Sequence, residues 1–425
     1  MSKLKREIGI IGASFIALNG IIGAGIFAMP QALVDGAGAA SPYLILVFGA
    51  PMILIAMAFG ALASRSDQTG GPVAYASAAF GRATGFGVGW LYYLARLAAM
   101  AANTNAFMTY AAVFAPGADQ GFARVVAIAT IVLALTALNV VGVRGAVRAL
   151  NLVTLVKLLP LAALVVGGLV LFAEHIPTPQ APENSAAVGG VSLLLLYAFV
   201  GFEMATLTAG ETSNARRALP RALVGAIVAM TLLYFLVQLA YVAIMQGRTP
   251  EGAPLAAAAE VLAGSWGAQA MAAAAMVSIG GNLLASSIVT PRLTFAMADE
   301  GALPRWFAGV NARFATPANS ILAFGLIVAV LAASSAFVWL AVMSALARMF
   351  VYLACMGALV KRLRIDGARL LLYAAPVLGA GLCAWAIAQA KLDAWAFLGG
   401  FAAVGAAIYA ATRWFERRSA VGARG

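Results

Sequence analysis

Four ionisable residues sit inside otherwise apolar stretches of this chain: Arg96, Lys157, Glu203 and Arg348. A charge at bilayer depth is costly and by default marks a working site. A backbone feature accompanies them. The run Asn19-Gly20-Ile21-Ile22-Gly23-Ala24-Gly25-Ile26-Phe27 puts three glycines within six residues in the middle of the first apolar stretch. A spanning helix must satisfy its own backbone, because lipid supplies no hydrogen-bond partner. Glycines clustered there predict an interrupted helix whose freed N–H and C=O groups face something polar. Secondary transporters bind substrate near the membrane midplane in this way. The alternative, glycines that only let helices pack closely, stays open for this cluster and is the expected role of Gly12, Gly49, Gly60, Gly167 and Gly168.

The elements that must position these groups are read from bulk pattern. The chain has 425 residues, of which 63% are hydrophobic and 10% charged, far below the roughly 25% charged residues of soluble domains. Apolar runs of spanning length recur throughout. The expected spans are 8–33, 40–63, 84–114, 122–142, 149–172, 188–209, 219–246, 267–298, 318–335, 337–360, 368–389 and 393–412. The fold class is therefore an all-α integral membrane protein with twelve transmembrane helices.

The 27 Lys and Arg residues against 15 Asp and Glu do not point to nucleic acid. With twelve spans, only Arg124, Arg248 and Lys391 fall on one face, Arg96, Lys157 and Arg348 fall within spans, and the other basic residues share the opposite face. That asymmetry is the positive-inside rule, with both termini cytoplasmic. A signal peptide is not expected, since the apolar run from Ile8 to Val34 far exceeds a signal h-region of roughly 7–15 residues. Cys355 and Cys383 fall within late spans and imply no disulfide framework, and His175, the single histidine, is read as a solvated loop residue.

Other function classes fit less well. A membrane-embedded enzyme needs a metal cluster, a nucleophile–base pair or a cofactor site, and one loop histidine with two separated cysteines supplies none. No catalytic residue, metal or cofactor is expected. A P-loop is absent from the sequence, which argues against an ATP-driven pump. A channel has no filter repeat to rest on, and a subunit of a proton-pumping complex calls for more buried acid, lysine and histidine.

Several motifs, in order along the chain, resemble the amino acid–polyamine–organocation family of permeases. Gly23-Ala24-Gly25-Ile26-Phe27 is similar to its first-helix signature, and Gly70-Gly71-Pro72 with Tyr75, Phe80-Gly81 and Gly89-Trp90 to its first inner loop and third helix. Phe199-Val200-Gly201-Phe202-Glu203, with Glu211-Thr212, resembles the sixth helix. Arg292 to Pro304, with Thr316-Pro317, resembles the stretch after the eighth. The resemblance implies one transporter domain made of two inverted five-helix repeats, 8–172 and 188–360, with helices one and six broken and two peripheral helices in 368–412. It further implies an α-amino acid as substrate, moved across the cell membrane by alternating access; the alanine-rich composition and the positive-inside pattern suit a bacterial inner membrane, with a eukaryotic plasma membrane as the alternative.

A zwitterion needs donors for its carboxylate and acceptors for its ammonium, and a helix break offers both. The N–H groups of Gly23, Ala24 and Gly25, with Ile26 following, are assigned to the carboxylate, and carbonyls near Ile21 and Ile22 to the ammonium. Ala198, Phe199 and Val200 are expected to contribute likewise, with Gly201 permitting the second break. By the same resemblance Tyr197 is a gating aromatic and Val200 an apolar side-chain contact. Asn103 and Ser286 are assigned as polar wall residues.

In proton-coupled and sodium-independent members a helix-five lysine takes the place of a bound sodium ion. Lys157 matches it, and changes in its protonation are the implied coupling step, with a permanently charged helix staple as the alternative. Glu203 is a candidate proton relay, cation ligand or anchor of the unwound segment. The partners expected are an amino acid, protons and the bilayer. Neutral amino acids with broad selectivity are favoured because the expected pocket carries no acid beyond Glu203; a sodium-independent exchanger of cationic amino acids or polyamines is the second reading.

Overall fold

The computed structural model describes residues 8–65, 70–142, 158–182 and 185–422, except for the side chains of 185–187 and 416–422. Lys157 lies outside the described residues. The described chain is helical, and its single bridge pairing joins Ile8 to Thr212. Eight of the described helices are long and apolar enough to cross a membrane. Leu133, Leu159, Leu171 and Leu326 are each more than half exposed. An outer surface this apolar matches a hydrocarbon solvent, and the chain is a multi-pass membrane protein.

The first expected span is not one helix. Ile10–Ile21 ends where Ile22 turns to φ −74° and ψ 86°. Helix resumes at Gly25–Ala28 and passes through Met29 into Pro30–Ala37. Pro30 opens that last segment, where its missing N–H costs nothing. The sixth expected span is broken too: Ser185–Tyr197 gives way to turns over 198–203 before a short helix, Met204–Leu207.

The two breaks touch. Gly201 adopts φ +113°, a conformation that a side chain disfavours. A Cβ on Gly201 would run into the Gly20 carbonyl, and one on Gly20 into the Gly201 carbonyl. Glycine at both positions lets the backbones of the two broken helices cross in contact. At one end the pair is also tied by loop bonds, Ile8 N–H to the Glu211 carbonyl at 3.1 Å and Ser213 N–H to the Ile8 carbonyl at 2.8 Å.

Longer helices enclose this crossing. Arg82–Ala111, which carries Arg96, Asn103, Thr104 and Asn105 among its buried residues, packs against Phe337–Ile365 and Pro254–Val289. So polar a helix is stable in a bilayer only if its polar groups face protein. Pro254–Val289 bends at Ala263 and Gly264, ahead of the expected eighth span. Ala215–Met245 packs on Ser41–Arg65, where Gly49 lies against Thr231 and Gly60 against Pro220 too closely for a Cβ. Gly168 is likewise closed in by Ala240 and Ile244, so these glycines serve close packing.

Candidate functional site

Between the two breaks the backbone is only partly satisfied. At the first, Gly23 N–H turns back to the Ile21 carbonyl at 2.8 Å, and Ala24 N–H donates to Asn103 Oδ1 at 3.1 Å. Two of the three N–H groups assigned to a carboxylate are therefore occupied within the protein. The N–H groups of Gly25 and Ile26 have no acceptor among the described residues. The Ile21 carbonyl also has partners, Gly23 N–H and the Tyr234 hydroxyl at 3.3 Å; the Ile22 carbonyl receives none among the described residues.

At the second break, Ala198 and Phe199 N–H bond back to Leu195 and Leu196 carbonyls. Gly201 N–H donates to Glu203 Oε2 at 2.8 Å. The Val200 and Phe202 N–H groups, and the carbonyls of Ala198, Phe199 and Val200, are without partners among the described residues. Ile21 to Ile26 and Tyr197 to Gly201 are all buried. Buried main-chain groups are nearly always paired, so unpartnered donors and acceptors at two touching helix breaks are suited to a small polar ligand.

A chain of side-chain bonds runs beside the crossing. Asn103 Oδ1 accepts from Ala24 N–H and from the Tyr197 hydroxyl at 3.4 Å, and its Nδ2 donates to Asn282 Oδ1 at 2.7 Å. Asn282 Nδ2 donates to the Asn19 carbonyl at 3.2 Å. Ser286 Oγ donates to Asn282 Oδ1 at 3.4 Å. Arg96 closes the chain, with Nη2 to Ser286 Oγ and Nε to Thr290 Oγ1, both at 3.3 Å, and Nη1 to Met204 Sδ at 3.1 Å. Asn103 and Tyr197 thus lie at the first break, and Ser286 joins them through Asn282. Asn282 went unnoticed in the sequence, though an asparagine one helical turn from Ser286 in an apolar span is itself a signal.

Glu203 sits in a second cluster. Its carboxylate accepts from Arg348 Nε at 3.2 Å and from the Tyr352 hydroxyl at 2.7 Å, besides Gly201 N–H. Arg348 Nη1 also donates to the Ala95 carbonyl at 3.3 Å and bonds Ser344 Oγ, which itself donates to Ala95 O at 2.8 Å. The side chains of Arg348 and Glu203 are 2% and 0% exposed. Of the roles open to Glu203, this geometry fits the anchor: both oxygens are engaged, and the unwound segment is bolted to the Phe337 and Arg82 helices.

One small cavity touches both breaks. It holds about 20 Å³, and Gly25, Ile26, Met29, Ala198, Tyr234 and Gln238 are among its lining residues. That is room for a water molecule and far too little for an amino acid. Among the described residues there is no cluster of His, Cys, Asp or Glu able to hold a metal ion.

Comparison with known proteins shows the family of the chain. A family model described as amino acid permease matches residues 8–413. An uncharacterised transporter of Mycobacterium tuberculosis is 30% identical over 78% of this chain and 75% of its own length. The serine/threonine exchanger SteT of Bacillus subtilis is 27% identical, covering 74% and 73%. The cadaverine/lysine antiporter of Escherichia coli is 24% identical, covering 80% and 76%.

Proposed function

The chain belongs to the amino acid permease family, and from that premise we propose that it carries neutral α-amino acids across a bacterial inner membrane by alternating access. The observation that carries the reading is the contact of two helix breaks at Gly20 and Gly201, where the N–H groups of Gly25 and Ile26 in one and the carbonyls of Ala198 to Val200 in the other have no partner among the described residues. The first set takes the carboxylate and the second the ammonium. The smallness of the cavity that touches both breaks supports a cycle in which the breaks separate to admit substrate. The transporter reading includes the twelve spans, the two inverted repeats 8–172 and 188–360, and cytoplasmic termini. It also includes proton coupling through Lys157.

Counterflow in proteoliposomes tests the reading. Liposomes holding purified protein and an excess of an unlabelled amino acid accumulate the labelled form transiently if the protein is a carrier. Equilibration without overshoot would mark a channel, and no movement with any amino acid would refute the reading. The second reading, exchange of cationic amino acids or polyamines, draws on the cadaverine/lysine antiporter as a relative and is tested by including those compounds.

A further inference from the structure

Arg96 has no role in the scheme above, and its surroundings are unusual. Its residue is 6% exposed. Each of its three nitrogens has a partner, and all three partners are uncharged: Thr290, Met204 and Ser286. No carboxylate of the described residues lies within ion-pair distance of it. Yet it is linked through Ser286 and Asn282 to Asn103, whose carboxamide oxygen holds Ala24 N–H at the first break. The guanidinium, bonded only to uncharged groups among the described residues, therefore belongs to the same polar chain as the proposed carboxylate cradle.

The local charge balance is one-sided. Arg348 and Glu203 are within electrostatic reach of Arg96. Glu203 is committed to Arg348, Tyr352 and Gly201 N–H. A distal ammonium or guanidinium entering this site finds no unengaged carboxylate among the described buried residues, and it finds one unpaired guanidinium. Charges in low-dielectric surroundings are screened weakly, so an unfavourable pair there is felt across the site.

We infer that Arg96 is a charge selector of the substrate site, admitting amino acids with neutral or acidic side chains and excluding lysine, arginine and diamines. The inference rests on the reading of the chain as an amino acid carrier and names the residue that decides against its cationic alternative. A unit charge about 10 Å away at an effective dielectric near 20 changes affinity on the order of tenfold.

The test is the ratio of lysine and cadaverine counterflow to that of the fastest neutral amino acid, in proteoliposomes of the full chain. The wild type should disfavour the cations by tenfold or more. Arg96→Gln should narrow that ratio by about tenfold, and Arg96→Lys, which keeps the charge, should hold it. Ser286→Asp gives the guanidinium a carboxylate partner and should narrow the ratio in the same direction, so the selector can be judged even if Arg96→Gln does not fold. Wild-type transport of lysine or cadaverine as fast as the neutral amino acid overturns the selector and leaves the carrier reading intact. An unchanged ratio in whichever of Arg96→Gln and Ser286→Asp folds also overturns it. Absence of counterflow with every amino acid refutes the carrier reading instead.

Discussion

Removing both partners of the Arg348–Glu203 pair should cost the protein less than the sum of removing each alone. The pair is separated by 3.2 Å with both side chains almost fully enclosed. Coulomb attraction at about 4 Å and an effective dielectric near 20 is about 4 kcal/mol. Truncating one member of such a buried pair costs about 3–5 kcal/mol, because the other charge is stranded. Glu203→Gln leaves two buried guanidinium groups, Arg96 and Arg348, with no acid between them. Arg348→Met leaves a carboxylate that still receives Tyr352 O–H and Gly201 N–H. The glutamine variant should therefore be the less stable single mutant. The double variant should recover at least about 1–2 kcal/mol relative to the sum of the two, within the range of coupling energies for contacting residues. Unfolding of purified protein in mixed detergent micelles, titrated with SDS, measures all four species. If the single losses are each below about 1 kcal/mol, or add without coupling, Glu203 is not an electrostatic anchor and the argument from its three donors fails.

The remaining predictions concern the breaks and their supports. Gly201→Ala combines a positive φ, costing about 1–2 kcal/mol, with a clash against the Gly20 backbone; it should lower thermal stability and abolish counterflow, and wild-type transport would contradict the crossing. Asn103→Ala strands the buried Ala24 N–H at about 1–3 kcal/mol and should raise KM at least tenfold, while Asn282→Ala should act in the same direction, through Asn103. Uptake driven by an inward proton gradient should be lost in Lys157→Ala with counterflow retained; gradient-driven uptake at the wild-type level would remove Lys157 from the coupling step.

Much of the first break was legible because its cause is local. Gly23, Ala24 and Gly25 lie in one short apolar run, and backbone needs in lipid follow from that run alone. Glu203 was legible as an intramembrane charge, and the structure adds the three donors that engage its carboxylate. The fate of individual N–H groups was not legible. Ala24 N–H is held by Asn103, a residue distant in sequence, and no local pattern announces that bond. Asn282 was missed for the same reason: a lone amide in an apolar span carries no sign of which neighbours it will join.

The sequence by itself determined the membrane class and the place where helix one must break, since hydropathy and glycine clustering act along the chain, and its motifs gave the family, whose resemblance implied the break in helix six. Only the tertiary structure decided that Gly20 meets Gly201, that Arg348 answers Glu203, and that Arg96 is left facing neutral groups. Those outcomes depend on which helix faces lie against each other, and helix packing joins residues far apart in sequence through contacts that no local pattern encodes.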